Sequence, residues 1–141
     1  MINVLISSIG GDIGQGVLKS IRRSQHKVRI IGVDASDRAA GLFLCDKGHV
    51  SPSAVSKEWE YLKKIIKICQ KEKIDIAFIC HEKEQYLISS NLNKLNHELK
   101  TYFVVQPRSV LDISMDKYKT FETLKKSGIL TAETVITLKE A

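Results

Sequence analysis

The sequence predicts a three-layer α/β fold in which helices cover both faces of a central parallel sheet. Short apolar runs alternate with segments of helical periodicity along the chain, which is typical of strands joined by crossover helices. The first of these runs consist almost entirely of apolar residues, as expected for strands that are buried on both faces. Right-handed crossovers and a first strand in the middle of the sheet predict the strand order 3-2-1-4-5.

The first half of the chain supplies three strands of this sheet. Residues 2–7 (INVLIS) form the first apolar run, and apolar residues then recur on one helical face over 12–25. Residues 28–33 (VRIIGV) are β-branched and predict the second strand. The less regular stretch 35–55 predicts a short helical turn at AAGLF and a brief edge strand at GHVSPS.

The second half supplies two further strands. A helix is predicted over 57–72, where Trp59, Leu62, Ile66 and Cys69 recur every three or four residues. Residues 75–80 (DIAFIC) predict a strand, 82–96 a helix, and YFVV a last strand that Pro107 stops.

The remaining residues differ from this pattern. A short turn (RSVLDIS) precedes a helix in MDKYKTFETLKKSG, with Gly128 as its C-cap, and ILTAETVITLKEA is strand-like. We therefore expect one domain over 1–113 and, over 114–141, a helix and strand that lead into a further domain. We expect the natural protein to continue past Ala141.

Composition narrows the classes of function. The 141 residues suit one domain, and no apolar stretch reaches the length of a membrane span. The N-terminus lacks a basic region and a cleavage site, so no signal peptide is expected. Three cysteines without a CxxC pair predict reduced thiols, and four histidines without metal-ligand spacing predict no metal site. We expect a cytoplasmic protein that contacts no membrane.

The net charge of +6 could attract nucleic acid, but the lysines do not favour that interpretation. They are interleaved with acidic residues, as in KEWEYLKKIIKICQKEK, and no basic motif accompanies the one Trp, four Tyr and four Phe. A nucleic-acid surface would need clustered basic residues. The sequence therefore predicts a hydrated lysine-rich surface and no nucleic-acid partner.

A glycine loop, SSIGGDIGQG at residues 7–16, lies between the first strand and the first helix. Gly10, Gly11 and Gly14 could let backbone amides approach a ligand at the helix N-terminus. No register fits the dinucleotide fingerprint G-x-G-x-x-G, although Asp34 follows Gly14 by 20 residues, where a ribose-binding acid would stand. The loop either binds a ligand or only permits a tight turn.

Two further candidates lie at helix starts. Glu82 and Glu84 follow the DIAFIC strand, at the edge where parallel sheets bind ligands. They are two residues apart and cannot share one helical face, and either could simply favour the helix N-terminus. Lys117 opens the last helix, where the helix dipole disfavours a cation; Asp116 or Ser114 would be the N-cap. A surface lysine is the default interpretation.

Several segments together resemble a known family: VLISSIGGDIGQGVLKSIR, IIGVDAS, CDKGHVSPSA, IDIAFICHEKEQ and SMDKYKTFETLKKSGILTAETV. They resemble the N-terminal pre-ATP-grasp domain of ATP-grasp ligases, and are most similar to carbamoyl-phosphate-synthase large-subunit-like proteins and the ligase of pyrrolysine biosynthesis. The resemblance spans nearly the whole chain. Its most specific piece is DKYKTFETLKKSGILTAET, which resembles the entry into the ATP-grasp domain.

The resemblance implies a Rossmann-like domain that forms one wall of the substrate cleft and is inactive alone. The intact enzyme would use ATP and Mg²⁺ to couple a small carboxylate to an amine, with neither bound tightly to this fragment. The resemblance assigns Lys117 to the ATP phosphates. It assigns the substrate side to the glycine loop and the strand-end acids, namely Gly10, Gly11, Gly14, Asp34 and Glu84, and we add the neighbouring Glu82.

The chain departs from this family in places. Ile79, Cys80 and His81 stand where relatives carry Pro-Thr, Thr131-Ala132 replaces a second Pro-Thr, and the lysine-bearing strands and Mg²⁺-binding carboxylates of the ATP-grasp domain have no counterpart.

Two alternatives remain. The glycine loop and Asp34 also suit a free-standing NAD(P)-binding or regulatory nucleotide-binding module. A structural domain that dimerises through a sheet edge or the last helix is the third possibility, and a homo-oligomer is possible.

Overall fold

A computed structural model describes residues 1–137 and 139. Its contacts divide the chain into two compact units, Met1–Val105 and Gln106–Ala141. The whole sheet lies in the first unit. In the described part of the chain, no helix has the length and apolar character needed to cross a membrane.

The first unit contains five parallel strands in the order β3-β2-β1-β4-β5, which confirms the predicted fold class and strand order. The central strand β1 pairs with β2 and with β4, and Val4 lies opposite Ile30 on one side and Ile76 on the other. The strands are β1 (Ile2–Ile6), β2 (Val28–Asp34), β3 (Lys47–Val50), β4 (Ile76–Phe78) and β5 (Tyr102–Val104).

Five helices connect these strands, and two more lie in the described part of the second unit. The first five are α1 (Asp12–Arg23), α2 (Gly41–Leu44), α3 (Glu58–Glu72), α4 (Glu82–Ser90) and α5 (Leu92–Glu98). The last two are α6 (Arg108–Ser114) and α7 (Lys117–Lys126).

The two faces of the sheet form separate apolar clusters because successive strand residues point to opposite faces. On one face, Leu5 and Phe103 pack with Ile65 of α3 and with α4 and α5. On the other, Val4 and Ile6 pack with Leu18 of α1.

The structure differs from the predicted helices in two places. The helix predicted over 82–96 is broken at Asn91 (φ −111°, ψ 10°), whose side-chain amide donates to the Leu87 carbonyl at 2.9 Å. Asparagine competes with the helix through such bonds. In α3 the buried stripe runs through Tyr61 and Ile65, whereas Trp59 is more than half exposed.

The second unit is more helical than the sequence suggests. The predicted turn RSVLDIS is helix α6, and Gly128 ends α7 with a φ of +72°, as expected of a C-cap glycine. The prediction of a strand in ILTAETVITLKEA was wrong over 129–137, where the structure has no strand. A strand forms its hydrogen bonds only with a neighbour, and these residues have none in the described chain. Leu138, Glu140 and Ala141 lie outside the described residues. The predicted domain boundary at 113 stays a prediction.

Candidate functional site

The carboxyl ends of β1, β2 and β4 bring three predicted features to one edge of the sheet. These strands are parallel neighbours, so the segments that follow them lie side by side, where α/β sheets bind ligands. The glycine loop follows β1, Asp34 ends β2, and Glu84 lies in the first turn of α4 after β4. We call this group the carboxyl-edge site.

Asp34 holds the glycine loop against β2. One carboxylate oxygen, Oδ2, accepts the Gly10 N–H at 2.8 Å, and the other accepts the Ser36 N–H at 3.0 Å. The Ile9 N–H donates to the Val33 carbonyl at 3.1 Å. Both oxygens of Asp34 therefore serve the backbone, and the loop is fixed to its neighbouring strand.

The glycines permit close packing around this loop. A Cβ on Gly10 would lie 2.7 Å from the Ala39 Cβ, and one on Gly14 would meet the Ser8 carbonyl oxygen and lie 2.8 Å from the Ile9 Cα. A Cβ on Gly11 would be only 3.3 Å from the Ser8 oxygen. The tight-turn interpretation therefore has steric support, and it is compatible with a loop that also faces a ligand.

Glu84 is buried beside the start of the loop, with 7% of its surface exposed. The Ser7 hydroxyl donates to Glu84 Oε2 at 2.5 Å and accepts the Cys80 N–H at 3.1 Å. Burial raises the pKa of Glu84, and the Ser7 hydrogen bond opposes that shift. Ser8, the next residue, has a φ of +43°, which is unusual for a residue other than glycine. The Ser7–Glu84 pair thus joins the end of β1 to α4 where the loop begins.

Tyr61 of α3 completes the buried part of the site. Its hydroxyl is fully enclosed and makes no hydrogen bond of ordinary geometry within the described residues. Burial raises its pKa well above the usual 10, and the nearby Glu84 carboxylate raises it further, whereas Ser7 opposes the shift. The Tyr61 hydroxyl is thus a buried polar group near the Ser7–Glu84 pair.

Within the first unit, one predicted residue does not join this cluster. Glu82 is exposed in the first turn of α4, so it diverges from the buried Glu84, as the two-residue spacing predicts. Lys117 is the exposed first residue of α7, in the second unit. Asp116 caps that helix by accepting the Tyr118 and Lys119 N–H groups at 3.0 and 3.1 Å.

Sequence reasoning missed Ser7 and Tyr61. Ser7 could have been found, because it is a polar residue directly after an apolar strand. Tyr61 gave no such signal, since a tyrosine on an apolar helix face is ordinary. Its role depends on the packing of α3 against the carboxyl ends of β1 and β4.

A second buried carboxylate, Glu72 at the end of α3, lies away from this site. Its oxygens contact Arg29 Nη2 and Lys47 Nζ, each at 2.7 Å, and His49 Nε2 at 3.2 Å. Lys47 and then Arg29 lower the pKa of Glu72 to about 2, against the opposing effect of burial. Arg29 and Lys47 lie at the amino ends of β2 and β3, so this cluster is structural. In the described part of the chain, no group of three His, Cys, Asp or Glu could hold a metal ion.

The sequence model of the PylC-like N-terminal domain family matches residues 4–101. This chain belongs to that family. The predicted resemblance to the N-terminal pre-ATP-grasp domain of an ATP-grasp ligase is thereby confirmed. The predicted site residues of this PylC-like domain lie inside the matched range, except for Lys117. No curated protein sequence matches the chain.

Solved structures support the fold of this PylC-like domain. The biotin carboxylase domain of a single-chain bacterial carboxylase matches with a TM-score of 0.64 and 14% identity, over 99% of this chain and 32% of its own. The biotin carboxylase subunit of pyruvate carboxylase gives 0.61 and 14%, over 91% and 28%. The dTDP-glucose 4,6-dehydratase of Bacillus anthracis, in complex with NAD, gives 0.51 and 11%, over 73% and 36%. The chain thus spans about a third of the length of these proteins.

Proposed function

We propose that this PylC-like domain forms the N-terminal wall of the substrate cleft in a carboxylate–amine ligase that uses ATP. One observation carries the proposal: the family match over 4–101 contains the whole carboxyl-edge site. In such a reaction the carboxylate attacks the γ-phosphorus of ATP and ADP leaves. The amine then attacks the acyl carbon, phosphate leaves, and the amine loses a proton as the C–N bond forms.

The residues of this chain would position the substrate. Asp34 fixes Gly10 in the loop, and the Ser7–Glu84 pair fixes the other end of the loop. The N–H groups of Ile9, Gly10 and Gly11 donate to Val33, Asp34 and Ser8, so the loop would offer the substrate a rigid shape rather than free amide donors. The loop between Ser8 and Gly11 is therefore the surface that we assign to the small carboxylate or amine substrate, together with the exposed Glu82.

ATP and Mg²⁺ would be held mainly outside this chain. The described residues offer no cluster of three metal-ligating side chains, and the family's ATP-grasp domain would supply them. Lys117 is the residue here that we assign to the ATP phosphates, since an exposed ammonium is a point charge that phosphate oxygens can approach. The isolated chain would then be inactive and bind ATP only in the millimolar range, about 4 kcal/mol or less.

The test is a comparison of two lysines of α7 in a protein that joins this chain to its ATP-grasp domain. Lys117→Ala is expected to raise the KM for ATP about tenfold or more, on the order of one lost phosphate contact. Lys126→Ala is the matched control, because Lys126 is also exposed and lies at the other end of the helix. Both variants should keep the wild-type melting temperature. An unchanged KM in Lys117→Ala would reject the assignment.

An NAD(P)-binding module is the competing proposal, because Asp34 lies beside the glycine loop at the end of β2. To bind a ribose, however, Asp34 would have to release the N–H groups of Gly10 and Ser36. Titration of the chain with NADH and NADPH separates the two proposals. Micromolar affinity for either would favour the module.

We also propose a cytoplasmic location. The three cysteines Cys45, Cys69 and Cys80 are free thiols in the structure, which suits a reducing compartment. Recovery of the tagged protein from the cytoplasmic fraction would support this location, and an export-dependent disulfide would argue against it.

A further inference from the structure

A hollow of about 430 Å³ lies between α3 and α5 in the first unit. Its apolar lining consists of the buried Leu62 and Leu95, the half-buried Ile66 and the exposed Trp59. A hollow of this volume, lined by apolar side chains and a few polar groups, is typical of small-molecule sites. No residue of the carboxyl-edge site lines it, so this feature, which we call the α3–α5 hollow, is separate from the site described above.

Positive charge exceeds negative charge along the α3–α5 hollow. It is lined by three lysines, Lys63, Lys67 and Lys94, and by one carboxylate, that of Glu98. Glu98 lies 3.9 Å from Lys94, whereas Lys63 and Lys67 have no ion-pair partner in the described part of the chain. Lys63 and Lys67 are four residues apart on α3, a spacing at which like charges on a helix repel each other. The hollow therefore favours an anion, which would offset this repulsion.

Trp59 holds two of these lysines at one place in the hollow. The ammonium groups of Lys94 and Lys63 lie 4.9 and 5.4 Å from the centroid of its ring, which is close enough for cation–π attraction. The Trp59 side chain nevertheless remains 53% exposed. The hollow thus presents an apolar aromatic surface directly beside positive charges that the protein itself keeps in position.

We propose that the α3–α5 hollow is a binding site for a small organic anion with an apolar body. The apolar part would cover Trp59 and Ile66, and the anionic group would lie near Lys63 and Lys67. A protein partner would need about 1,200 Å² or more of buried surface, which these two apolar side chains do not provide. The ligand is additional to ATP and to the substrates that we assign to the carboxyl edge.

Trp59 makes the proposal directly measurable, because it is the single tryptophan of the chain. Octanoate is the probe, and octylammonium, with the same chain length and the opposite charge, is its control. At low salt, octanoate should change the Trp59 emission and saturate with a dissociation constant on the order of 1 mM, as for a ligand of about ten non-hydrogen atoms. Octylammonium and inorganic phosphate should each bind about tenfold more weakly or less, because the first lacks the charge and the second the apolar body.

Two lysines of α3 provide a matched pair of variants. Lys67 and Lys71 are both exposed, but only Lys67 lines the hollow. Lys67→Ala should weaken octanoate binding about threefold or more, as for one lost ion pair, and Lys71→Ala by less than about twofold. Glu98→Gln should strengthen it, because a negative charge is removed. Calorimetric titration measures these affinities independently of the emission, and all three variants should keep the wild-type far-UV circular dichroism.

Three results would overturn the proposal. The first is octanoate that does not saturate up to about 20 mM, well above the expected constant. The second is octylammonium or phosphate that binds as tightly as octanoate. The third is an equal loss in Lys67→Ala and Lys71→Ala, which would show that octanoate responds to the total charge of α3 and has no defined site. None of these results depends on ligase activity.

Discussion

Glu72 and Glu84 are both buried carboxylates, yet their pKa values move in opposite directions. Lys47 and Arg29 place positive charge against Glu72 and lower its pKa to about 2. Glu84 has no ion pair among the described residues, so burial dominates and raises its pKa, although hydrogen bonds with Ser7 and Ser8 oppose the shift. Glu72 therefore stabilises the fold when it is ionised, whereas ionisation of Glu84 destabilises the fold. Buried charge of that second kind is typical of functional sites.

The Glu72 cluster predicts a pH-dependent loss of stability. The folded pKa lies below the unfolded value of 4.5, so the stabilisation is complete above about pH 4.5 and is lost as the pH falls toward 2. Arg29 and Lys47 stay 29% and 42% exposed, so screening limits the effect. Glu72→Gln should lower the free energy of unfolding by about 1–2 kcal/mol at pH 7. In urea titrations this difference should shrink at pH 3.

The matched control for this prediction is Glu98→Gln, which removes an exposed ion pair with Lys94 of 3.9 Å. Such a pair contributes about 0.5 kcal/mol or less. If Glu72→Gln lost no more stability than Glu98→Gln at pH 7, the cluster would not have the assigned role.

Ser7→Ala should destabilise the carboxyl-edge site. The substitution removes a donor from the buried Glu84 and an acceptor from the buried Cys80 N–H. We expect a loss of about 1–3 kcal/mol. Because Ser7 stabilises the ionised form of Glu84, its removal should raise the pKa of Glu84 further, and the loss should therefore be larger at pH 7 than at pH 5. Urea unfolding and carboxyl ¹³C NMR titration measure the two effects. Ser20→Ala, an exposed serine of α1, should change stability by less than about 0.5 kcal/mol.

At the scale of elements, the first turns of α1 pack tightly on the glycine loop. A Cβ on Gly14 would strike backbone atoms of Ser8 and Ile9, whereas a Cβ on Gly16 would meet nothing within 4 Å. Gly14→Ala should therefore destabilise the domain by about 2–3 kcal/mol, since backbone must shift. Gly16→Ala should stabilise it by about 0.5–1 kcal/mol, because alanine favours the helix. Thermal unfolding of the two variants tests this, and equal effects of the same sign would contradict the packing described here.

The elements were predictable where periodicity alone determines them. Four of the five strands were located from apolar runs, because a strand in the middle of the sheet needs apolar side chains at nearly every position. The edge strand β3 was expected from the less regular stretch GHVSPS, and it lies at Lys47–Val50 with mostly exposed side chains. The break at Asn91 was missed because asparagine is tolerated in helices, and its bond to the Leu87 carbonyl depends on local geometry. The strand expected after Gly128 was wrong because strand propensity has no effect without a pairing partner.

At the scale of the whole molecule, topology explains how much of the site was predictable. Once β1 is central, the segments after β1, β2 and β4 must meet, so the proximity of the glycine loop, Asp34 and Glu84 follows from strand order. The bond from Gly10 to Asp34 and the buried Tyr61 hydroxyl do not follow from it. They depend on side-chain directions that only three-dimensional packing fixes.

The division of the chain into two compact units predicts that the first folds alone. All five strands and both apolar clusters lie within Met1–Val105, so truncation after Val105 removes no member of either core. A fragment of about 100 residues can bury enough apolar surface to be stable. We expect fragment 1–105 to unfold cooperatively in urea, with a midpoint close to that of the full chain. A second truncation after Leu99 would delete β5 and the buried Phe103, and it should abolish this transition. Circular dichroism and tryptophan fluorescence, from the single Trp59 in the first unit, would follow both fragments. An unfolded 1–105 fragment would show that the second unit contributes to the core of the first.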